Sequence, residues 1–255
     1  MSNAPETRRV LITGVSSGIG LGLTRTLLQQ DVRVLGISRH APDLRTPGQF
    51  QFVPCDLSYL KEISPAIKRL LTDIPRLDLV ILNAGILGPF GDLKTQSIDE
   101  MQRVMQVNLW ANKVILDVLQ ELRIPIRQIV MISSSAAVHL QRGWGGYALS
   151  KAALNALVHL AAPEWPQTHL CAFAPGPIDT SMQDQLCSLP PDPLYPSLDR
   201  LRARRGTAEM PDGDEAAPAL LDAIWRLPEL VPTGSYADVR TLPGNQNSTG
   251  AAGTG

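Results

Sequence analysis

The chain has 255 residues, 44% of them hydrophobic and 18% charged, enough apolar material to bury one large core and to fit one α/β domain rather than two. A formal net charge of -1 leaves no basic footprint for nucleic acid or an anionic membrane, so the expected partner is a small molecule. Three scattered cysteines, Cys55, Cys171 and Cys187, form no CxxC pair and exclude a disulfide framework, which suits a reducing cytoplasm.

The first nine residues are polar, and the apolar run Val10-Leu11-Ile12 breaks at Thr13-Gly14, so neither a signal peptide nor a spanning helix is expected and the chain reads as soluble. Short β-branched or apolar runs at 9–13, 33–38, 51–55, 77–83, 128–133 and 169–174, with a weaker one at 231–239, predict six or seven strands. Helical patterns at 19–30, 58–72, 97–122, 147–162 and 214–225 lie between them. That alternation predicts βαβ units and one doubly wound α/β domain over 8–240, with a parallel sheet and helices on both faces. Residues 180–211, rich in proline and charge, are longer than an ordinary connection and are read as a substrate lid. The stretch 244–255 has too little apolar surface to offset its ordering entropy and is expected to be disordered.

Directly after the first strand comes Thr13-Gly14-Val15-Ser16-Ser17-Gly18-Ile19-Gly20, a glycine-rich turn opening a helix. Glycine at Gly14, Gly18 and Gly20 lets the backbone turn sharply and approach a pyrophosphate, whose charge meets unpaired N–H groups at the helix start. Strand, turn and helix are in the order that a dinucleotide-binding, Rossmann-type domain requires, with Ser16, Ser17 and Ile19 at the phosphates; alone, the glycines are equally those of a tight turn. After the second strand the chain reads Ser38-Arg39-His40, where an NAD site would carry an acid for the ribose 2′-hydroxyl. The Arg39 guanidinium and the Ser38 hydroxyl suit a 2′-phosphate instead, so NADP(H) is favoured over NAD(H), although Arg39 could also be a solvated loop residue. Asp56 and Leu57 end the third strand, and Asn83-Ala84-Gly85 the fourth, both at carboxyl ends where open α/β sheets bind ligands; Asp56 can also serve as a helix N-cap.

Ser133-Ser134-Ser135 ends the fifth strand, and Tyr147 and Lys151 follow at i and i+4 on one helix face. A phenol is a poor base at neutral pH, and a lysine ammonium, a helix N-terminus and an oxidised nicotinamide nearby would each favour its ionised form. Tyr147 is therefore a candidate acid/base, although a Tyr-x-x-x-Lys pair alone is common by chance. The four histidines form no ligand cluster and no catalytic metal is expected.

Taken together, residues 13–20, Asn83-Ala84-Gly85, Asn108, Ser134, Tyr147 with Lys151, and Pro175-Gly176 resemble the short-chain dehydrogenase/reductase family in order and spacing over about residues 8 to 240. The resemblance implies an oxidoreductase in which Tyr147 is the general acid/base and Ser134 holds the substrate oxygen. By the same resemblance Lys151 also binds the nicotinamide ribose, and Asn108 holds a water linking Lys151 to solvent. It further implies that Ile178 and Thr180, after Pro175-Gly176, bind the nicotinamide carboxamide. The stretch 83–91 is similar to the sepiapterin and benzil reductase branch, and candidate pocket walls at 86–90, 139–144 and 182–195 suit a bulky, largely apolar carbonyl or alcohol substrate. The resemblance implies a homodimer or homotetramer, against which Pro163 and Pro166 interrupt the helix on which that family commonly assembles. The competing reading is a catalytically silent NADP(H)-binding sensor or scaffold, against which the intact tetrad argues.

Overall fold

Runs such as Val10-Leu11-Ile12 and Leu79-Val80-Ile81-Leu82 form strands because β-branched and long aliphatic side chains pack well on a pleated surface covered from both sides. The computed structural model describes residues 7–44 and 48–243, so the tail expected over 244–255 lies outside the described residues. The strands are β1 Arg9–Thr13, β2 Arg33–Ser38, β3 Phe50–Pro54, β4 Leu79–Leu82, β5 Gln128–Ile132, β6 His169–Ala174 and β7 Ser235–Asp238. They form one seven-stranded sheet in the order β3-β2-β1-β4-β5-β6-β7, and every pairing is parallel. The winding reverses between β1 and β4, which opens a crevice at their carboxyl ends.

The period of two divides each strand between two cores. Leu11, Leu35, Val80 and Ile129 join one cluster with Ile63, Ile67, Ile115 and Leu154. Val10, Ile12, Val34 and Ile81 join the other with Leu23, Leu27, Leu220 and Ile224. The first cluster is covered by helices α2 Leu60–Leu70, α4 Ala111–Leu122 and α6 Gly145–Ala161, and the second by α1 Gly18–Gln29 and α9 Gly213–Leu230. The remaining helices are α3 Ile98–Met105, α5 Ala136–His139, α7 Ser181–Cys187 and α8 Pro196–Arg204.

Several boundaries depart from those expected. The helix expected over 97–122 starts as expected, with a capping box in which Ser97 and Glu100 satisfy each other's backbone N–H. It is then broken by a π-helical turn at Gln106–Trp110, which separates α3 from α4 and carries Asn108. Helix α9 runs past the expected end at 225, because fully buried Leu227 continues the apolar stripe of Leu220 and Ile224 despite Pro228. The last strand begins only at Ser235, after Pro232 and a left-handed Gly234. The stretch 180–211 contains α7 and α8 rather than only loop, with Pro196 in the first turn of α8, where its missing N–H costs nothing.

Helices α1 and α9 touch backbone to backbone, since a Cβ built on Gly22 would lie 2.0 Å from the Gly213 oxygen. Gly22→Ala is therefore expected to destabilise the fold by about 2 kcal/mol or more, lowering Tm by several degrees in a thermal melt. An unchanged Tm would contradict this close approach. Among the described residues no helix is long and apolar enough to cross a membrane, and no group of three or more His, Cys, Asp or Glu could hold a metal ion.

Candidate active site

At the carboxyl ends of β1, β4, β5 and β6 lies a cleft of about 550 Å³. Beneath it lies the fully buried Thr13, whose hydroxyl oxygen accepts from the backbone N–H of Asn83 and of Ala84, each at 3.0 Å. The Asn83 amide donates back to the Thr13 and Gly14 oxygens at 3.0 and 3.3 Å. Asn83 thus clamps the glycine-rich turn to the end of β4. Gly14 and Gly18 have φ of +76° and +52°, and a Cβ on Gly20 would lie 2.1 Å from the Gly14 oxygen. Gly20 does not line the cleft; it lets α1 start tightly beneath the turn. Ser17 caps α1 in an extended conformation without a side-chain bond to the first turn, leaving those N–H groups for a ligand. The turn residues Ser16, Ser17, Gly18 and Ile19 all line the cleft, a cradle of the kind that fits a pyrophosphate.

Farther along the same wall, Arg39 is exposed and lines the cleft. The Ser38 hydroxyl, expected to donate to a phosphate, instead donates to the His40 carbonyl at 2.7 Å and is buried. Asp56 accepts from the Ser58 N–H at 2.9 Å in a turn that precedes α2, whose N-cap is Tyr59. Burial pushes the Asp56 carboxyl upward, but the hydrogen bonds from Ser58 and the nearby Arg39 and Arg103 charges outweigh it, and its pKa lies below the usual value. Leu57 is buried beside it, and Ala84 and Gly85 continue the wall toward the catalytic end.

At that end Tyr147 sits in the first turn of α6, buried, with Lys151 one turn on and Ser134 just beyond β5. Lys151 is only 3% exposed; its ammonium donates to the Ile132 carbonyl at 2.6 Å and lies 5.8 Å from the centre of the Tyr147 ring. For the chain by itself the Tyr147 pKa lies above the ordinary phenol value, because burial outweighs the opposing effect of Ser134. Tyr147 is thus held as the protonated acid. The Ser134 oxygen also accepts from the Ala136 N–H at 3.1 Å, and the Ser133 hydroxyl donates to the Asn155 oxygen at 2.6 Å, so the turn after β5 is fixed.

Asn108 is fully buried and does not line the cleft. Its side-chain oxygen accepts from the Ile86 N–H at 2.8 Å, and its amide donates to the Ile86 carbonyl and the Ser150 hydroxyl, each at 2.9 Å. Both amide hydrogens are thereby used, which leaves the Asn108 oxygens as the acceptors for a relay water. The Asn108 backbone carbonyl accepts from the Asn112 amide at 2.8 Å. Gly85 permits the crowding, since a Cβ there would lie 3.2 Å from the Asn108 side-chain oxygen and 3.5 Å from the Lys151 nitrogen.

Burial pushes Lys151 down from 10.5 to about 8, a difference of about 3 kcal/mol. Because the folded pKa lies below the unfolded one, the unfolded chain binds more protons between those values and stability rises with pH across that window. The Tm of Lys151→Met relative to wild type is expected to fall as pH rises from about 8 to about 10. A pH-independent difference would contradict the buried ammonium.

The remaining wall comes from Pro175, Gly176 at φ +79°, Ile178 and Thr180, the N-cap of α7. Over the catalytic end, Phe90 packs edge-on against Trp144 and Tyr195 at 5.4 and 5.1 Å, and Trp144 lies 6.1 Å from Tyr147. The 180–211 stretch is pinned there: Trp144 donates to the Ser197 hydroxyl at 3.0 Å, and Asp92 accepts from Tyr195 and, twice, from Arg142. Arg103, Arg200, Arg204 and Arg240 also line the cleft. Nothing in the local sequence distinguishes the first three from ordinary solvated helix arginines, and Arg240 lies just past β7.

A family model described as short chain dehydrogenase matches residues 8–188. A benzil reductase of Saccharomyces cerevisiae that forms (S)-benzoin is 28% identical over 240 residues, covering 85% of this chain and 90% of its own. A sepiapterin reductase of Bos taurus is 31% identical over 242 residues, covering 84% of this chain and 88% of its own. The crystal structure of a short chain dehydrogenase from Shigella flexneri complexed with NADP superposes with a TM-score of 0.73 at 25% identity, covering 91% of this chain and 97% of that one.

Proposed function

This chain belongs to the short chain dehydrogenase family, and within it we propose an NADP(H)-dependent carbonyl reductase acting on a bulky, aromatic or otherwise largely apolar ketone. The observation that carries the reading is the buried Tyr147 one turn before buried Lys151 and beside Ser134, at one end of a cleft whose other end carries the glycine cradle and Arg39. The preference for NADP(H) rests on Arg39 after β2, where an NAD site would carry an acid, and is supported by the NADP complex of the Shigella flexneri relative. The substrate class is supported by the apolar lining from Ile86, Trp144, Met182, Leu186 and Leu201, with Phe90 and Tyr195 packed behind Trp144 and each other, and by the benzil and sepiapterin reductases among the relatives.

When bound, the reduced nicotinamide supplies the hydride. The turn at 14–20 and the start of α1 hold the pyrophosphate, Arg39 and Arg103 face the adenosine end, and Ile178 and Thr180 face the nicotinamide end. Ser134 orients the substrate oxygen by a hydrogen bond, and Tyr147, kept protonated by burial, gives its proton to that oxygen as negative charge develops. Lys151 stabilises the phenolate that remains, and the phenolate regains its proton from solvent through Lys151 and a water held by an Asn108 oxygen.

Oxidation of NADPH by the purified protein, measured with aromatic diketones, pteridines and simple ketones, tests the reading. Turnover of the bulky compounds above the simple ones is expected. Tight NADPH binding without turnover of any compound would favour the silent sensor, and absence of NADPH binding would overturn the assignment.

A further inference from the structure

The wall of the cleft carries six cationic side chains, Arg39, Arg103, Lys151, Arg200, Arg204 and Arg240, against the single carboxylate of Asp56. The adenosine and catalytic ends account for the first three. Arg240 is neutralised by Asp238 through bonds of 2.6 and 2.8 Å, and Arg204 by Glu209 at 3.1 Å. Arg200 differs: among the described residues no carboxylate pairs with it, and its hydrogen-bond acceptor is the neutral Gln141 side chain at 3.3 Å.

The surroundings of Arg200 put it at the substrate end. It lies one turn after Ser197 on α8, and Ser197 accepts from the Trp144 indole, whose ring is 6.1 Å from Tyr147. Gln141 belongs to the same turn as Trp144, whose N–H donates to the Gln141 carbonyl at 3.3 Å. Arg200 and Gln141 therefore border the apolar space in front of the catalytic pair, along with Leu186 and Leu201. A guanidinium presents a planar fork that matches a carboxylate bidentately, and the exposed Arg200 side chain offers that fork to a ligand entering the cleft.

We infer that the substrate carries, in addition to its carbonyl, an anionic group of the carboxylate type that Arg200 binds at the cleft mouth. Building on the reductase reading above, this makes the substrate class an aryl or bulky alkyl oxo acid. Arg200 is then a specificity residue rather than part of the proton transfer.

The test compares kcat/KM for aryl oxo acids and for their methyl esters in wild type, Arg200→Gln and Arg200→Lys, with NADPH affinity followed by nicotinamide fluorescence. Arg200→Gln is expected to lower kcat/KM for the acids about tenfold or more, through KM, while the esters change by less than about threefold and NADPH affinity holds. Arg200→Lys is expected to restore part of the loss. Equal losses on acid and ester, no loss on either, or weakened NADPH binding, which would assign Arg200 to the cofactor phosphates, would each overturn the inference. So would a wild type that reduces neutral diketones and rejects the acids. A wild type that binds NADPH and reduces nothing would instead remove the reductase reading on which the inference stands.

Discussion

Tyr147→Phe is expected to lower kcat by about 10²- to 10⁴-fold, the usual contribution of a positioned acid or base, while NADPH affinity stays nearly unchanged. The hydroxyl is a buried acid beside Ser134 at the catalytic end of the cleft, so its removal takes away both the proton and one of the two donors facing the substrate oxygen. The ring itself packs near Trp144 and is retained in phenylalanine, and the fold is expected to survive. Single-turnover kinetics with saturating NADPH isolates the effect to the chemical step. A variant with full turnover would remove Tyr147 from the mechanism.

Arg39→Ala is expected to weaken NADPH about 10- to 100-fold while changing NADH little, the scale of losing charge-assisted hydrogen bonds to one phosphate. The Ser38 hydroxyl is directed to the His40 carbonyl and is poorly placed to compensate. Arg103, which like Arg39 acts on Asp56, is the side chain able to retain part of the preference. Equal losses for the two cofactors would show that Arg39 does not read the 2′-phosphate.

Much of the fold and of the site is legible in the sequence because the signals are local. The strands at 9–13, 33–38 and 169–174 occupy the expected ranges, since β-branched runs bounded by turn residues have few other solutions. The glycines at 14, 18 and 20 and the Tyr147–Lys151 spacing are likewise set within a few residues. What the sequence hides depends on distant partners. The π-turn at Gln106–Trp110 does not interrupt the apolar pattern of its helix, and the Asn108 bonds run to Ile86 and Ser150. The protonated state of Tyr147 and the depressed Lys151 follow from burial, which the alternation of residues does not report. Helices α7 and α8 are masked by the prolines around them. Arg200 and Arg103, ordinary helix arginines in sequence, become part of the site only through the packing of α8 and α3 against the cleft.

The most direct test of the account is transfer of label from NADPH carrying deuterium at nicotinamide C4 to an aromatic diketone, read by mass spectrometry of the alcohol formed. One deuterium at the new carbinol carbon, formed by wild type and lost in Tyr147→Phe, is the predicted result; tight NADPH binding with no labelled alcohol would contradict it.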